Sequence, residues 1–341
     1  MLNDGCLNKN RSENSNFRTS LCLCVFVVCL AAVFSGCGRR ANTALGRIRE
    51  ITVVSDRWDW LEPTLSRILQ DTIFTPQPEP RFPIRVYNED QFESYRLLRT
   101  LFLIGTNSDT VIRAVLGPRV DSLPQGEYGL FHIPNAWADN QQLVVFVADD
   151  ESLLISGLGL YAARIRNTFQ DVVLGNSIRA VYYRGRDEEK TRSILERYDF
   201  GVDVPRGWRL NQEHADSQFV YLFAHFPDRS VFIHWQDSPR PLEPGPLLDL
   251  RDSLTRRYYD GDLVERPYTV TDSVEFLAGP ALRLQSIWQN DSMSTGGPFV
   301  SYCFNHEGRF FMVDGQVFLP GKPKLDQLYQ IEAIVRTFAP R

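Results

Sequence analysis

Two stretches of this chain are apolar almost throughout, and they restrict its fold more than any other feature. Thr100–Ile104 reads TLFLI and Leu143–Ala148 reads LVVFVA, each the length of a strand. Successive strand residues point to opposite sides of a sheet, so these runs present apolar groups on both faces. Such strands need cover above and below, which means at least three layers. Helical patterns nearby supply it. Trp60, Leu61, Leu65, Ile68 and Leu69 recur at helical spacing between Arg57 and Thr72. VIRAVLG follows a polar start with Asn107 or Ser108 as cap and ends on Gly117. A longer helix is expected from Asp150 to Phe169, acidic in its first turn, with Arg164 and Arg166 towards its end. Ile51–Val54, Ile84–Tyr87 and Tyr128–Ile133 read as further strands, in a sheet either parallel or mixed. The proline-rich TPQPEPRFP reads as an irregular connection, because proline removes ladder donors.

From about residue 199 the pattern changes. A charged helix, Asp187–Tyr198, leads into FVYLFAHF-PDRS-VFIHW, two strands around a turn. With Phe226 facing Val231, one face carries Val220, Leu222, Ala224, Ile233 and Trp235. The other carries Phe219, Tyr221, Phe223, His225, Phe232 and His234. Both faces are bulky, so both need cover. A helix at Gly245–Tyr259 and extended segments near Tyr268–Leu277 and Ala281–Trp288 follow. The chain then meanders through FVSYCFNH, a turn at Glu307-Gly308, RFFMV, a turn at Asp314-Gly315, and QVFL. A last helix, Pro323–Phe338, repeats Leu325, Leu328, Ile331, Ile334 and Val335 on one face. The fold class is therefore α/β (α+β): two α/β sandwich domains, 49–198 and 199–341, the second an antiparallel sheet with helices on both faces.

The N-terminus reads as a processing signal. Lys9, Arg11 and Arg18 precede fourteen apolar residues, Leu21–Phe34, and the segment closes on Phe34-Ser35-Gly36-Cys37. Fourteen residues fall short of the roughly 20 that span a bilayer. Small residues before a cysteine resemble the lipobox of bacterial lipoproteins, with Phe34 in place of the preferred Leu. The resemblance implies cleavage between Gly36 and Cys37, lipid on Cys37, and a tether over 37–48. Gly38 stands where an Asp would resemble an inner-membrane retention signal, which favours the outer membrane; the membrane face stays open. Cys6, Cys22, Cys24 and Cys29 leave with residues 1–36 and Cys37 is acylated, so Cys303 alone remains and no intrachain disulfide is expected.

The signal carries three basic and two acidic groups, so its removal takes the net charge from −5 to −6. That excludes a nucleic-acid partner, which needs clustered Lys and Arg. Aromatic content of 12% supports large cores.

DRWDWLE, PQPEPRF, RTLFLIGTNSD, VVFVADDE and the paired-aromatic C-terminal half resemble domain of unknown function 4837, a family of envelope lipoproteins, across nearly the whole processed chain. The resemblance implies location and a two-domain layout, and no activity. VDVPRGWRL and IEAIVRTF resemble the PsbP/Mog1-like fold, which implies an α/β/α sandwich for the second half.

Catalytic patterns are sparse. There is no G-x-S-x-G, the flanking a serine nucleophile elbow needs, and no G-x-G-x-x-G or Walker sequence to cradle phosphate. Cys303 and His306 lie three apart on a strand and point to opposite faces, so Cys303 reads as a core thiol. His225 and His234 form a diagonal pair in the register above. They lack a third ligand, and half-buried histidines under a helix are the alternative; no metal and no cofactor are expected. Asp149-Asp150-Glu151 and Asp187-Glu188-Glu189 read as helix starts, and GLGLYA as a glycine pair for close packing. Trp58 and Trp60, two apart on a helix, cannot both face the core, and Trp137 ends a loop. These tryptophans and the two histidines are the candidate binding residues, with core packing as the alternative reading.

The expected role is a non-enzymatic binding or assembly module at the outer membrane, held by lipid on Cys37 and meeting an envelope protein partner. An envelope hydrolase would instead show a deep pocket of convergent carboxylates or histidines. A small-ligand-binding protein would show a cleft between the domains. The oligomeric state stays open.

Overall fold

The computed structural model describes residues 42–341 apart from position 125, so the expected signal, Gly36 and Cys37 lie outside the described residues. Residues 43–48 are part of the body rather than of a free tether. Ala44 N donates to Asp139 O (3.0 Å), Leu45 N to Leu97 O (3.0 Å), and Arg99 N to Leu45 O (2.6 Å).

The first sheet contains β1 (Ile51–Val54), β4 (Ile84–Tyr87), β5 (Thr100–Thr106), β6 (Tyr128–Pro134) and β7 (Gln142–Ala148), in the order β4-β1-β5-β7-β6. Its first four strands are parallel and β6 runs antiparallel to β7, so the sheet is mixed. Every residue of β5 and β7 is buried, as apolarity on both faces demands. Phe102, Ile104, Val144 and Phe146 point to one core; Leu101, Leu103, Leu143 and Val145 point to another. The first core lies beneath α1 (Trp58–Leu69), α3 (Glu151–Leu160) and α4 (Ala162–Val181); the second lies beneath α2 (Thr110–Leu116).

Two local expectations change here. The segment Gln77–Pro80 is a strand, β3, paired antiparallel with β2 (Thr72–Thr75). Its prolines stand at alternate positions, 78 and 80, opposite Phe74 and Thr72. In a two-stranded ribbon alternate residues turn their N–H away from the partner, so both prolines fit without losing a ladder bond. The long helix breaks at Tyr161, and its second part runs on to Val181 rather than stopping at Phe169. Gly175, Asn176 and Ser177 are weak helix formers, but Asn176 and Ser177 are buried and tertiary packing overrides propensity. Gly157 does allow close packing: a Cβ there would come 2.8 Å from the Tyr128 ring, whereas nothing lies near Gly159.

After α5 (Glu188–Tyr198), a short β8 (Phe200–Gly201) pairs with β16 (Ala339–Pro340) at the chain's end. The second sheet has seven antiparallel strands in the order β12-β13-β14-β15-β11-β10-β9. They are β9 (Arg209–Asn211), β10 (Phe219–Ala224), β11 (Asp228–Gln236), β12 (Leu263–Phe276), β13 (Gly279–Asn290), β14 (Thr295–His306) and β15 (Arg309–Phe318). Helix α7 (Leu325–Val335) covers one face and packs against α4; helix α6 (Pro244–Tyr258) covers the other. The fold is therefore α/β, with helices on both faces of an antiparallel sheet. The two sheets share a hydrophobic core that runs from Phe102 and Phe169 to Ile331 and Val335.

Two turn readings in this half are corrected. Asp314-Gly315 is no turn but the middle of β15, flanked by β14 and β11. A Cβ on Gly315 would sit 1.9 Å from Ile331 Cγ2, so the glycine lets α7 press onto the sheet. The hairpin between β10 and β11 turns at Phe226-Pro227, not at Pro227–Ser230. Arg229 extends the strand because it has tertiary partners: Gln327 and Gln330 on α7 accept from Nη1 (3.1 and 2.9 Å), and Trp208 lies under the guanidinium. The register moves by four residues. An even shift preserves both faces, so the side assignments hold.

Candidate functional site

Helix length and strand length explain where the second sheet is open. Helix α6 has 15 residues, so it spans about 22 Å. Strand β13 has 12 residues, so it spans about 40 Å. One helix cannot cover that face. Beyond its C-terminus the aromatic row of β10 continues without cover, and Tyr221 and Phe223 wall a cavity of 470 Å³ together with Tyr258, Tyr259, Trp288 and Phe318. A second cavity of 580 Å³ lies alongside and shares Trp288, Thr295 and Phe318 as a common wall. Pro76 and Gln77 of the β2–β3 ribbon, with Tyr268 of β12, line its far side. Phe74 stacks obliquely on Tyr268 there, centroids 5.3 Å apart. Phe226 (98% exposed) beside His225 and Met293 (58% exposed) on its wall leave the first cavity with an apolar surround. Both volumes fall within the range of about 300–1,000 Å³ usual for ligand sites.

The floor is polar and held from behind. Arg251, in the apolar stripe of α6, pairs with Asp314 (Nε–Oδ2 2.7 Å), both side chains fully buried. Its Nη2 also donates to Gln316 Oε1 (2.9 Å), and Gln316 Nε2 donates to Asp262 Oδ2 (2.9 Å). Asn290 Nδ2 donates to the other Asp262 oxygen (3.0 Å). Burial pushes the Asp262 carboxyl above its ordinary range, and these two amides partly offset the rise. In the walls the Trp288 Nε1–H is buried without a hydrogen-bond acceptor, and the Tyr259 hydroxyl is buried beside Ser230. Burial raises the Tyr259 hydroxyl far above its ordinary range, so it stays a donor. Each buried unmet donor carries a penalty of about 1–3 kcal/mol. The groove is therefore apolar on its faces over a hydrogen-bonded polar floor.

Of the residues singled out from sequence, His225 lies at this site and the others lie elsewhere. His225 is exposed on the cavity wall, its Nδ1 2.8 Å from Asp228 Oδ1. His234 pairs with Phe219, six residues back along β10, so the expected diagonal histidine pair is not formed; the separation is about 20 Å. His234 is buried, with Nδ1 2.9 Å from Gln218 O, and burial lowers its pKa. Trp58 is half-buried against the main core, and Trp137 packs edge-on against Phe92 at 5.4 Å. Trp60 is the exposed one, at 58%. Cys303 is fully buried, and burial raises its thiol pKa. No group of three or more metal-ligating side chains exists among the described residues.

The first sheet has its own obvious place for a ligand. Strand order reverses between β1 and β5, and the crevice beyond their carboxyl ends is the usual seat in such sheets. Here Arg57 fills it. The guanidinium takes Asp109 bidentately (2.7 and 3.0 Å) and Glu151 through Nε (2.9 Å). Asp109, not Asn107 or Ser108, stands before α2, and its carboxylate also accepts from Thr106 N (2.8 Å).

Fold and site define a two-sheet α/β protein with an open aromatic groove on its antiparallel half. Residues 186–337 match the family model described as Domain of unknown function (DUF4837), and residues 44–182 match Domain of unknown function (DUF8532). The DRWDWLE, PQPEPRF, RTLFLIGTNSD and VVFVADDE motifs thus fall in the second family's span, and the first match is narrower than nearly the whole processed chain. Neither family carries a named activity. A crystal structure from Bacteroides thetaiotaomicron VPI-5482 is similar at 10% identity over 42% of this chain and 45% of its own, TM-score 0.26. The chain thus spans less than half the length of that protein. The solution structure of cyanobacterial PsbP (CyanoP) from Synechocystis sp. PCC 6803 is similar at 10% identity over 42% of this chain and 87% of its own, TM-score 0.29. The PsbP resemblance is thus present and weak. No curated protein matches.

Proposed function

We propose that this protein is a lipid-anchored, non-enzymatic binding module of the cell envelope whose ligand seat is the aromatic groove on the second sheet. The observation that carries this reading is the pair of adjoining cavities with aromatic walls. Around the first cavity the carboxylates are Asp262, held by two amides, Asp228, paired with His225, and Asp260. The second cavity lies where the ribbon of the first half meets the second sheet, the kind of position a ligand site between two halves would occupy. A photo-crosslinking residue in place of Met293 is expected to capture a ligand or partner in cells, and one in place of Tyr183, exposed elsewhere, is not. Capture at Tyr183 alone, or at neither, would refute the reading.

Anchoring follows from Cys37 and its small neighbours, with Gly38 favouring the outer membrane. Five residues, 38–42, separate Cys37 from Thr43, where the chain joins the body through its bridge to Asp139. The six steps from Cys37 to Thr43 extend at most about 20 Å. The body is thus held close to the bilayer rather than on a long leash, and its partners belong to the membrane-proximal envelope. Cys37→Ala is expected to abolish labelling by a radiolabelled or alkynyl fatty acid and to remove the processed form from membranes. Continued labelling would disprove the assignment.

A further inference from the structure

We propose that the pole of the first half where the chain enters the body is a docking surface for anionic phospholipid, a deepening that rests on Cys37 carrying lipid. Arg47, Arg99 and Arg179 take headgroup phosphates there, and Leu45 enters the interface beside them. The entering chain runs along this pole. Ala44 O and Gly46 O accept from Arg99 Nη2 and Nε (3.2 and 3.3 Å), and Ile48 O accepts from Asn176 Nδ2 on α4 (3.4 Å). Arg179, in the next turn of α4, gives its Nη2 to Asn176 Oδ1 (2.8 Å). It is exposed and lines a cavity of 250 Å³ with His132, Gln142, Thr168 and Asp171. Arg99 Nη1 is neither bonded to a described residue nor buried. Burial and the neighbouring Arg179 lower the pKa of the Arg99 guanidinium, burial lowers that of Arg179, and no carboxylate offsets either fall. Two arginines thus stand side by side with donors open to a ligand.

Local charge selects an anion. Arg47 is exposed on the entering segment, and Arg39 and Arg40 stand in sequence between Cys37 and Thr43. Asp139, bridged to Thr43, and Asp171 oppose these cations, while Glu50 is paired with Arg85 (3.1 Å). Cations therefore outnumber unpaired carboxylates at this pole, although the processed chain as a whole is acidic. Charges more than about 8 Å apart on the surface are largely screened at physiological ionic strength, so the acidic remainder does not cancel the local field. A guanidinium fork fits phosphate oxygens two at a time. Leu45 points to a lipid surface rather than a free phosphate. It is 61% exposed between the two residues whose carbonyls hold Arg99, an apolar side chain among cations, as at a membrane interface. The tether holds this same pole, at Thr43, within about 20 Å of Cys37.

The test uses the whole processed chain carrying Cys37→Ala, so that adhesion by this surface is read apart from adhesion by lipid. Sedimentation follows its partition onto phosphatidylcholine vesicles with and without phosphatidylglycerol, at low and physiological salt, and calorimetry follows its titration with inorganic phosphate. Binding to the phosphatidylglycerol vesicles, weakening with salt, is expected. Arg179→Gln should reduce it about fivefold and Arg47→Gln by about as much again, each the loss of one cation near an anionic surface. Leu45→Ser should weaken it too. Arg256→Gln removes the same charge on α6, over the far face of the second sheet, and should leave it unchanged. Arg47 and Arg179 are exposed, and unchanged circular dichroism establishes that their variants fold. Binding to neither kind of vesicle, equal binding to both, equal loss in Arg256→Gln, or binding of inorganic phosphate alone would each overturn the docking surface. Fatty-acid labelling of the natural chain reports on the anchor separately: its absence would refute lipid on Cys37, while partition onto phosphatidylglycerol would still establish the surface.

Discussion

Arg251→Met is expected to destabilise the protein by about 3–5 kcal/mol, the range for removing one partner of a buried ion pair. Both Arg251 and Asp314 are fully buried, on the helix and strand that face each other across the second core. Two hydrogen bonds join them, at 2.7 and 3.2 Å, and Ser301 donates to the same carboxylate. The guanidinium also lies 3.6 Å from the centroid of the Phe299 ring. Methionine fills much of the volume, so the loss is electrostatic: Asp314 would be left charged in an apolar core with one hydroxyl for company. The double variant Arg251→Met, Asp314→Leu is expected to recover most of the stability, because an apolar pair of similar volume often equals a buried salt bridge. Urea denaturation of the single and double variants measures both. A single variant that loses under about 1 kcal/mol would mean that the pair is not desolvated as described. The pair costs desolvation, so its retention has to be explained by what it holds. Through Gln316 and Asp262 it fixes the floor of the groove, and looser ligand binding is expected in the double variant even where stability returns.

That network shows why parts of this fold are legible in sequence and others are not. The apolar runs of β5 and β7 announce cover on both faces because strand periodicity is local. The β10–β11 faces survive a wrong turn because the true register differs by an even number of residues. Asp314-Gly315 misleads because Asp-Gly is a hairpin signal only when nothing more distant claims the two residues. Here Arg251, 63 positions earlier, claims the aspartate, and Ile331 claims the space above the glycine. A buried arginine in an otherwise apolar helix stripe, with an aspartate inside an apolar run, was the available clue. The groove itself was beyond reach. Its walls come from β10, the end of α6, the β13–β14 turn and the end of β15, and only His225 among them stood out as a polar residue in an aromatic strand. Trp58 and Trp137 stood out by residue type, but type does not distinguish an anchor from a core side chain.

Glu79→Ala is the second large effect, expected to remove about 3–5 kcal/mol and to loosen the first turn of α7. Glu79 lies in β3, the strand formed by the proline-rich segment, yet its carboxylate accepts from Lys324 N (2.6 Å) and Leu325 N (3.2 Å), 245 and 246 residues away. Those amides belong to the start of α7, where helix geometry leaves donors unpaired and the dipole favours negative charge. Thr75 Oγ1 donates to the same carboxylate at 2.5 Å, and Arg49 Nη2 at 3.3 Å. Arg49 also binds Asp326 and the carbonyls of Pro80 and Arg81, so it joins the ribbon to the helix from the other side. Alanine would strand the amides and part of the guanidinium's pairing at once, while the threonine hydroxyl keeps the Gln77 carbonyl as acceptor. Glu79→Gln keeps the shape and two acceptor sites, so it is expected to lose less, and the gap between the two variants isolates the missing acceptor from the missing charge. Hydrogen exchange is the sharper measurement. Amides of Leu325 to Leu328 should lose protection in Glu79→Ala while those at the centre of β14 keep theirs. Unchanged exchange at α7, with a stability loss below about 1 kcal/mol, would mean that the shared core alone joins the halves. Because the same ribbon presents Pro76 and Gln77 to the second cavity, loosening it should weaken ligand binding there as well, which links the stability of the junction to the seat it helps to build.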